Sequence, residues 1–219
     1  MAEPRSGGEW TELDRVRSWP GCRAQLPHAP DAEGLLVEHL LPEQLTRVLD
    51  LGTGDGHLLA AIGRTRPDAG GVGIDLSTEM VEAARDRFAG VEQVSFAVHD
   101  LIEPLPEELG EFDLVVSALA IHHLPDARKC ELYRETLGLL RPGGAFYNLD
   151  VVLAPTPELH DLSQRSFGFS DRDPDPSDQL APLDDQLDWL KQVGFEHVDC
   201  HWKWLELALF GGTKPATRA

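Results

Sequence analysis

The sequence predicts an α/β fold in which helices cover a mostly parallel β-sheet. From Arg47 onward, short apolar runs alternate with amphipathic stretches, which is the pattern of repeated β-α-β units. The run from Phe112 to Leu119 is almost unbroken in its hydrophobicity, as expected for a central strand that is buried on both faces. A glycine-rich turn at residues 52–56 separates the first predicted strand from the helix that follows it.

The predicted elements follow one another without an internal repeat. A buried strand at 47–51 precedes a helix with Leu58, Leu59 and Ile62 facing inward, and Pro67 ends that helix. After a strand at 72–76, Ser77 can cap the second helix. A strand is predicted at 94–98, and the central strand follows at 112–119. The next predicted helix begins at Asp126, a breaker ends it at 141–144, and its inward residues are Cys130, Tyr133, Leu137 and Leu140. The last predicted elements are a strand at 145–152, a helix at 183–193 and an antiparallel hairpin of strands at 196–202 and 205–210.

Two segments depart from this alternation. Residues 1–46 contain one convincing helix, at 31–41, and are predicted to form a helical cap beside a domain that spans 47–219. Residues 153–182 contain five prolines interleaved with acids, so the sequence predicts an irregular insertion there, of the lid or linker kind.

Composition and charge narrow the range of partners. The chain has 219 residues, 42% of them hydrophobic, which suits one folded domain. Its net charge of −19 repels phosphate backbones, so we expect no DNA partner, and RNA only on a local basic face. No apolar run reaches the roughly 20 residues of a transmembrane helix, residues 1–10 lack the apolar core of a signal peptide, and the three cysteines are widely spaced. These features predict a cytoplasmic protein without a membrane partner.

The glycine-rich turn follows the strand Val48–Leu51 and contains Gly52, Gly54 and Gly56. Glycines allow a backbone to approach a ligand closely where a side chain would collide. A dinucleotide fingerprint would require a third glycine at position 57, where His57 stands, so the pattern argues against NAD. The lysine-containing phosphate loop of ATP and GTP hydrolases is absent as well.

Three aspartates recur at intervals of 25 residues, at or near the ends of successive predicted strands: Asp50, Asp75 and Asp100. The carboxyl ends of parallel strands meet at one edge of a sheet, so these side chains are expected to face one crevice. A carboxylate after the second strand can accept both hydroxyls of a ribose, and one after the third can accept the amino proton of adenine. Such a crevice suits an adenosine that carries positive charge instead of phosphate. The alternative is that each aspartate only caps a helix.

At this point the sequence resembles the class I S-adenosylmethionine-dependent methyltransferases, of the small-molecule type, over about residues 45–212. The resemblance is carried by the order and spacing of several segments. These are 48–56, Gly73–Ser77, His99–Leu101, Phe112–Ser117, Ile121–Leu124, Leu140–Gly144 and the ending from Gly194 to Lys214.

The resemblance implies a doubly wound sheet of seven strands in the order 3-2-1-4-5-7-6, with strand 7 antiparallel and helices on both faces. It implies S-adenosylmethionine as cofactor and S-adenosylhomocysteine as product. The glycines would line the methionine part, Asp75 the ribose, Leu76 the adenine face, and Asp100 with Leu101 the adenine edge. Arg23 could pair with the donor's carboxylate, although a surface arginine is the alternative. The full set of expected cofactor-binding residues is Asp50, Gly52, Thr53, Gly54, Gly56, Asp75, Leu76, Met80, Asp100, Leu101, Ser117, Ala118 and Arg23.

Methyl transfer is an in-line displacement for which the protein mainly supplies alignment. A general base is required only when the acceptor keeps its proton near neutral pH. His122 and His123 follow the fourth predicted strand, so one of them, preferably His123, could act as base or orient the acceptor. The alternative is that the pair shapes the loop. Tyr147, Asp150 and His160 are lesser candidates.

The acceptor is predicted to be a small molecule. Residues 117–120 lack the Asn/Asp-Pro-Pro-Tyr/Phe pattern that such enzymes use to methylate DNA bases. Trp19, Phe167 and Phe169 could form an apolar wall for the acceptor, or else belong to the core. No metal site is predicted. Prolines interrupt the acids at 171–178, which are expected to form a solvated face, and His197 and His201 are expected to lie on a strand surface.

The sequence therefore predicts a methyltransferase that acts on an O, N or C nucleophile of a small metabolite. A protein or tRNA methyltransferase of the same fold is the nearest alternative. A non-catalytic S-adenosylmethionine-binding regulatory protein would keep the same cofactor residues. The N-terminal helix and an edge strand are candidate surfaces for homodimerisation.

Overall fold

A seven-stranded β-sheet forms the centre of the computed structural model, which describes residues 26–168 and 175–216. The strands are β1 (Arg47–Leu51), β2 (Gly70–Asp75), β3 (Val94–Val98), β4 (Phe112–Ala118), β5 (Leu140–Val151), β6 (Glu196–Trp204) and β7 (Leu207–Thr213). Their order is β3-β2-β1-β4-β5-β7-β6, and β7 runs antiparallel to both of its neighbours, whereas the other pairs are parallel. The predicted fold class and strand order are confirmed.

Six α-helices surround the sheet within the described residues. They are α1 (Ala29–Leu35), which continues as a π-helical turn over Leu36–Leu40, α2 (His57–Thr65), α3 (Thr78–Arg87), α4 (Asp126–Leu139), α5 (Pro157–Phe167) and α6 (Leu183–Val193). Short 3-10 helices lie at Glu107–Leu109 and Ile121–His123. Within the part of the chain that the structure describes, every helix is too short or too polar to span a membrane.

The sheet has a separate apolar core on each face. Successive residues of a strand point to opposite faces, so Val48 packs with α1, α2 and α3 while Leu49 packs with α4 and α6. Both side chains are almost completely buried, as are Leu114 and Val115 of the central strand. This double burial explains why β1 and β4 appear in the sequence as continuous apolar runs.

The order of the strands reverses direction between β1 and β4. From β1 the chain moves outward through β2 to β3, and then returns to place β4 and β5 on the other side of β1. The loops after β1 and after β4 therefore leave the sheet in opposite directions and open a crevice at its carboxyl edge. The glycine-rich turn and the helical turn Ile121–His123 both lie there.

The prediction of an irregular segment at 153–182 was wrong for residues 157–167, which form α5. The Thr156 side chain caps this helix by accepting a hydrogen bond from the amide of Leu159 at 3.3 Å. Pro157 occupies the first helical turn, where its missing N–H costs nothing, and Gly168 ends the helix with a φ of 75°. Pro157 was counted among the prolines that indicate irregular structure, although at this position proline favours helix initiation.

The inward face predicted for α4 was partly wrong. Tyr133 is fully buried, but Cys130 and Leu137 are only half-buried, and Arg128 and Lys129 are buried in their place. Arg128 can be buried because its guanidinium makes two hydrogen bonds to the Glu135 carboxylate, at 2.7 and 2.8 Å, and donates to two main-chain carbonyls. A hydrophobic pattern does not reveal a buried arginine whose charge is neutralised by a glutamate on the same helix.

The predicted breaker at 141–144 is a bulge within β5. Phe112 pairs with Leu140 and Leu114 pairs with Ala145, so four residues of β5 lie opposite Asp113 alone. The Asp113 carboxylate accepts hydrogen bonds from the amides of Thr46 and Arg47, and from the Arg141 guanidinium at 2.7 Å. This carboxylate thus ties together the beginnings of β1, β4 and β5.

Candidate functional site

The turn after β1 adopts a backbone conformation that glycine accommodates best. Gly52, Gly54 and Gly56 have φ angles of 70°, 55° and 76°, in the left-handed region. The amides of Gly52 and Thr53 both donate to the carbonyl of Ile74 on β2, at 2.9 Å. The turn is therefore attached to the neighbouring strand, and α2 begins directly after it.

The turn after β1 also lies against the loop after β4. A Cβ atom on Gly52 would lie 2.2 Å from the Cβ atom of Ala120, which is far inside van der Waals contact. A glycine is thus required at position 52 by both the close approach and the positive φ angle. The contact fixes the distance between the two loops that form the crevice.

Asp75 occupies the end of β2 beside this turn. Its carboxylate accepts hydrogen bonds from the amide of Gly54 at 2.8 Å and from the amide of Ser77 at 2.9 Å. Burial raises the pKa of Asp75, although the two amides act in the opposite direction. Each carboxylate oxygen has two lone pairs, so the group retains capacity for the ribose hydroxyls that the resemblance implies.

Asp100 lies in the loop after β3, where its carboxylate accepts a hydrogen bond from the amide of Ile102 at 2.9 Å. The amide of His99 donates to the carbonyl of Asp75, so the loops after β2 and β3 are joined. Asp75 and Asp100 are both half-buried at this edge, whereas the Leu101 side chain packs into the core. The structure thus brings the second and third predicted aspartates to one edge of the sheet.

Several predicted cofactor residues lie beneath the surface of the crevice instead of lining it. Asp50 is 1% exposed and accepts a hydrogen bond from the Thr53 hydroxyl at 2.7 Å. The Ser117 side chain is fully buried and donates to the carbonyl of Leu51 at 2.8 Å. The expectation that Asp50 faces the crevice was therefore wrong, and both side chains support the glycine turn from below. Met80 is also buried, whereas Leu76 and Ala118 are half-buried.

Three of the predicted side chains, those of Trp19, Arg23 and Phe169, lie outside the described residues. Phe167 is described and belongs to the core, where its ring centroid lies 5.4 Å from that of Trp204. It is 6% exposed and forms no open wall for an acceptor.

His122 and Asp150 form a buried pair on the β4 side of the crevice. His122 lies in the 3-10 turn after β4, and Asp150 lies near the end of β5. The Nδ1 atom of His122 is 2.5 Å from the Asp150 carboxylate, whose second oxygen accepts a hydrogen bond from the Asn148 amide group at 3.2 Å. The imidazole is consequently held in one orientation.

The two histidines of this turn differ in their electrostatics. Burial alone would lower the pKa of His122, but the adjacent Asp150 carboxylate raises it above the ordinary value. Burial and the nearby charge of His122 lower the pKa of His123 to about 3. The stated preference for His123 as base is therefore not supported, because His122 holds a proton far more readily.

Residues 175–179, in the loop before α6, cover the two histidines. The amide of Gln179 donates to the carbonyl of His122 at 2.9 Å, and its side chain donates to the carbonyl of His123 at 3.0 Å. The Lys129 ammonium donates to the carbonyl of Gln179 and lies 3.0 Å from the Asp126 carboxylate. This segment is thereby fixed to the histidine turn.

Asp178 belongs to this cluster, although the sequence placed it only among the acids at 171–178 and not beside the histidines. One of its carboxylate oxygens lies 3.6 Å from Nε2 of His122 and 3.5 Å from Nδ1 of His123. The acids at 171–178 were expected to form a solvated face, and Asp178 is exposed as expected, whereas Asp175 is half-buried. No local signal connects Asp178 with the histidines, because the loop path alone brings them together.

Comparisons with known proteins agree with this geometry. Residues 48–144 match a family model described as a methyltransferase domain. An uncharacterized methyltransferase of Mycobacterium tuberculosis is 32% identical over 153 residues, which cover 68% of this chain and 73% of that protein. The 27-O-demethylrifamycin SV methyltransferase of Amycolatopsis mediterranei is 36% identical over 114 residues, which cover 51% of this chain and 40% of that enzyme.

A solved structure titled PigF with SAH has a similar fold. Its TM-score is 0.69 and its sequence identity 21%, with 92% of this chain and 59% of that chain covered. This chain therefore spans less than two thirds of PigF and of the Amycolatopsis relative.

Proposed function

This chain belongs to the class I S-adenosylmethionine-dependent methyltransferases, and from this premise we propose that it methylates an O, N or C nucleophile of a small metabolite. The observation that carries the proposal is the contact of 2.5 Å between His122 and Asp150 beside the crevice. When bound, the donor supplies an electrophilic methyl group on a positively charged sulfur. The protein has to hold the donor, align the acceptor and, where necessary, remove a proton.

The residues that would hold the donor lie on the β1, β2 and β3 side of the crevice. The glycine turn fits the methionine part because it presents backbone without side chains. The half-buried Asp75 carboxylate fits the ribose hydroxyls, and Asp100 fits the adenine amino group. Leu76 and Ala118 would contact the donor directly. Asp50, Thr53, Met80, Leu101 and Ser117 would support these contacts from the core.

His122 is the group that we assign to accept the acceptor's proton. Its Nδ1 faces Asp150, so the lone pair that remains for a substrate is on Nε2. A carboxylate behind an imidazole fixes its tautomer and stabilises the imidazolium that forms after proton transfer. His122 lies two residues after Ala120, the residue that contacts Gly52. The pair of His122 and Asp150 would remove the proton from acceptors that keep it near neutral pH.

Two observations support a small-molecule acceptor. The net charge of −19 disfavours RNA, and the Amycolatopsis relative, by its name, acts on 27-O-demethylrifamycin SV. In this proposal α1, α5 and residues 175–182 enclose the acceptor and exclude water. Within that segment, Gln179 is bonded to the histidine turn.

Incubation with isotopically labelled S-adenosylmethionine and fractionated cell extract tests the proposal. Mass spectrometry should show label in a small organic-soluble product. Label in protein or tRNA would instead assign the chain to the macromolecular methyltransferases of this fold. Absence of label together with intact donor binding would favour a non-catalytic regulatory protein.

A variant of His122 tests whether labelling depends on the proposed proton acceptor. His122→Asn removes the proposed proton acceptor while the donor side of the crevice is unchanged. It should abolish labelling of the small product and keep the calorimetric affinity for S-adenosylhomocysteine. An unaffected rate of labelling would contradict the assignment of His122.

A further inference from the structure

We propose that His122, His123 and Asp178 form a binding site for a divalent transition-metal ion of the zinc class. Each of the three side chains contributes one ligand atom, and these atoms lie within 4.8 Å of one another. Two imidazoles and one carboxylate form a donor set that suits Zn²⁺ and Co²⁺ better than Mg²⁺ or Ca²⁺, which prefer oxygen ligands alone.

The measured separations fit ligands of a common ion. The Asp178 oxygen is 3.6 Å from Nε2 of His122 and 3.5 Å from Nδ1 of His123. Both distances are those of an ion pair and are longer than a typical hydrogen bond, which ends near 3.2 Å. Two atoms that each lie about 2.0–2.1 Å from a tetrahedral zinc ion are separated by about 3.4 Å. The carboxylate is thus positioned as it would be if an ion lay between it and both imidazoles.

A second layer of contacts already orients the ligands. Asp150 contacts the opposite nitrogen of the His122 ring, which is the arrangement of a carboxylate behind a metal-bound histidine. The Ser177 hydroxyl lies 3.1 Å from Nδ1 of His123 and donates to the Asp175 carboxylate, so it orients the His123 ring, and the proposed ion would replace its contact with Nδ1. The site therefore has the supporting shell that metal centres require.

The position of Asp178 is fixed by its neighbours in the chain. Gln179 makes two hydrogen bonds to the main chain of the histidine turn, and the buried Lys129 holds the carbonyl of Gln179. The ammonium of Lys129 is balanced by Asp126 at 3.0 Å. The Asp150, Asp175 and Asp178 carboxylates make the surroundings favourable for a divalent cation.

The proposed ion competes with the proposed methyl-transfer chemistry. It would bind Nε2 of His122, which is the lone pair that the proton acceptor uses, so metal binding and proton transfer exclude one another. This consequence rests on the proposed function, but the existence of the metal site does not. Metal binding can be measured without donor or acceptor, so failure of one proposal is distinguishable from failure of the other.

The test titrates Co²⁺ and Zn²⁺ into the chelator-treated full chain, followed by visible absorption spectroscopy and calorimetry. We expect one ion per chain and the intense d–d absorption of four-coordinate Co²⁺. Asp150→Asn should weaken the affinity about 10–100-fold, as loss of a supporting contact does, and His123→Ala or Asp178→Asn should weaken it by at least that factor. His39→Ala, which removes an exposed histidine outside the cluster, should leave it unchanged.

Asp178→Asn keeps the test valid if His123→Ala fails to fold, because the Asp178 side chain is 35% exposed. Unchanged affinity in Asp178→Asn would overturn the proposal, as would absence of d–d bands. A sulfur-to-cobalt charge-transfer band would also overturn it, since the ion would then lie on a cysteine. If Zn²⁺ inhibits labelling by the unmodified protein but not by folded Asp178→Asn, the competition with His122 is supported. Stimulation by Zn²⁺ would contradict that competition.

Discussion

Asp75 at the end of β2 accepts a hydrogen bond from the main-chain amide of Gly54, 2.8 Å away in the turn after β1. The same carboxylate accepts the amide of Ser77, the residue that caps α3. One side chain thus connects two neighbouring strand ends with the start of a helix. The proposed ribose contact would be made by a group whose position is already fixed, which limits the entropy lost on binding.

Replacement of Asp75 by Ala should weaken donor binding. The loss of a hydrogen bond to a charged group costs about 1.5–3 kcal/mol, which corresponds to about a 10–150-fold increase in Kd. Calorimetry with S-adenosylhomocysteine measures the change in affinity. The variant Asp75→Asn separates the effect of losing the charge from the effect of losing the hydrogen bond with the Gly54 amide. Asp86→Ala, on the exposed side of α3, serves as control. Equal affinities of Asp75→Ala and the unmodified chain would refute the ribose assignment.

Gly52→Ala should destabilise the fold by about 2–5 kcal/mol, because it combines left-handed backbone strain with the overlap of its Cβ and Ala120. Thermal or urea unfolding measures the loss. The additional change Ala120→Gly should restore the part due to overlap, so a double-mutant cycle gives a coupling of at least about 1 kcal/mol. Gly63→Ala is the matched control, since this helical position has open space around it and should gain stability. Additive effects at 52 and 120 would disprove the contact.

The elements of the fold were predictable because their signals are local or periodic. Ser77 caps α3 and Gly194 ends α6, as their residue types indicate, and the double burial of β1 and β4 is visible as apolar runs. The exceptions have physical causes. Pro157 starts a helix instead of interrupting one, and Arg128 is buried because Glu135 neutralises it.

The candidate site was predictable only where it follows directly from a strand end. Asp75 and the glycine turn meet this condition, and so do the two histidines after β4. The contact between His122 and Asp150 depends on the pairing of β4 with β5, and the contact with Asp178 depends on the course of a loop. Neither distance is encoded in spacing along the chain. The choice between His122 and His123 likewise depends on burial and on the carboxylate behind only one of them.

Asp150→Asn should lower kcat for methyl transfer about 10²–10⁴-fold, the range for loss of general-base assistance, if the acceptor must lose a proton. The reason is that an amide behind His122 stabilises neither the required tautomer nor the imidazolium. Donor affinity should stay the same, because the pair lies on the β4 side of the crevice. Steady-state kinetics with the identified acceptor, compared with His39→Gln, gives the result. A variant with a raised KM and an unaltered kcat would argue against proton transfer at His122.

Asp113 should make the stability of the fold depend on acidic pH. Burial alone would raise its pKa, but hydrogen bonds from Thr46, Arg141 and Arg47 lower it below the ordinary value of 3.8. A carboxyl whose pKa is lower in the folded state binds fewer protons there, so it stabilises the fold above the unfolded pKa. This contribution is lost as the pH falls through the folded pKa.

Asp113→Asn should therefore reduce the free energy of unfolding near pH 7 by about 1–3 kcal/mol, because the charged hydrogen bonds that join β1, β4 and β5 are weakened. The difference from the unmodified chain should shrink as the pH falls below 3.8 and through the lowered pKa of the folded state, where the native carboxyl becomes protonated as well. Urea unfolding at several pH values measures this convergence. The exposed Asp68→Asn variant controls for the change in net charge. If the difference in free energy of unfolding stays constant as the pH falls, Asp113 stabilises the fold through packing and not through its charge.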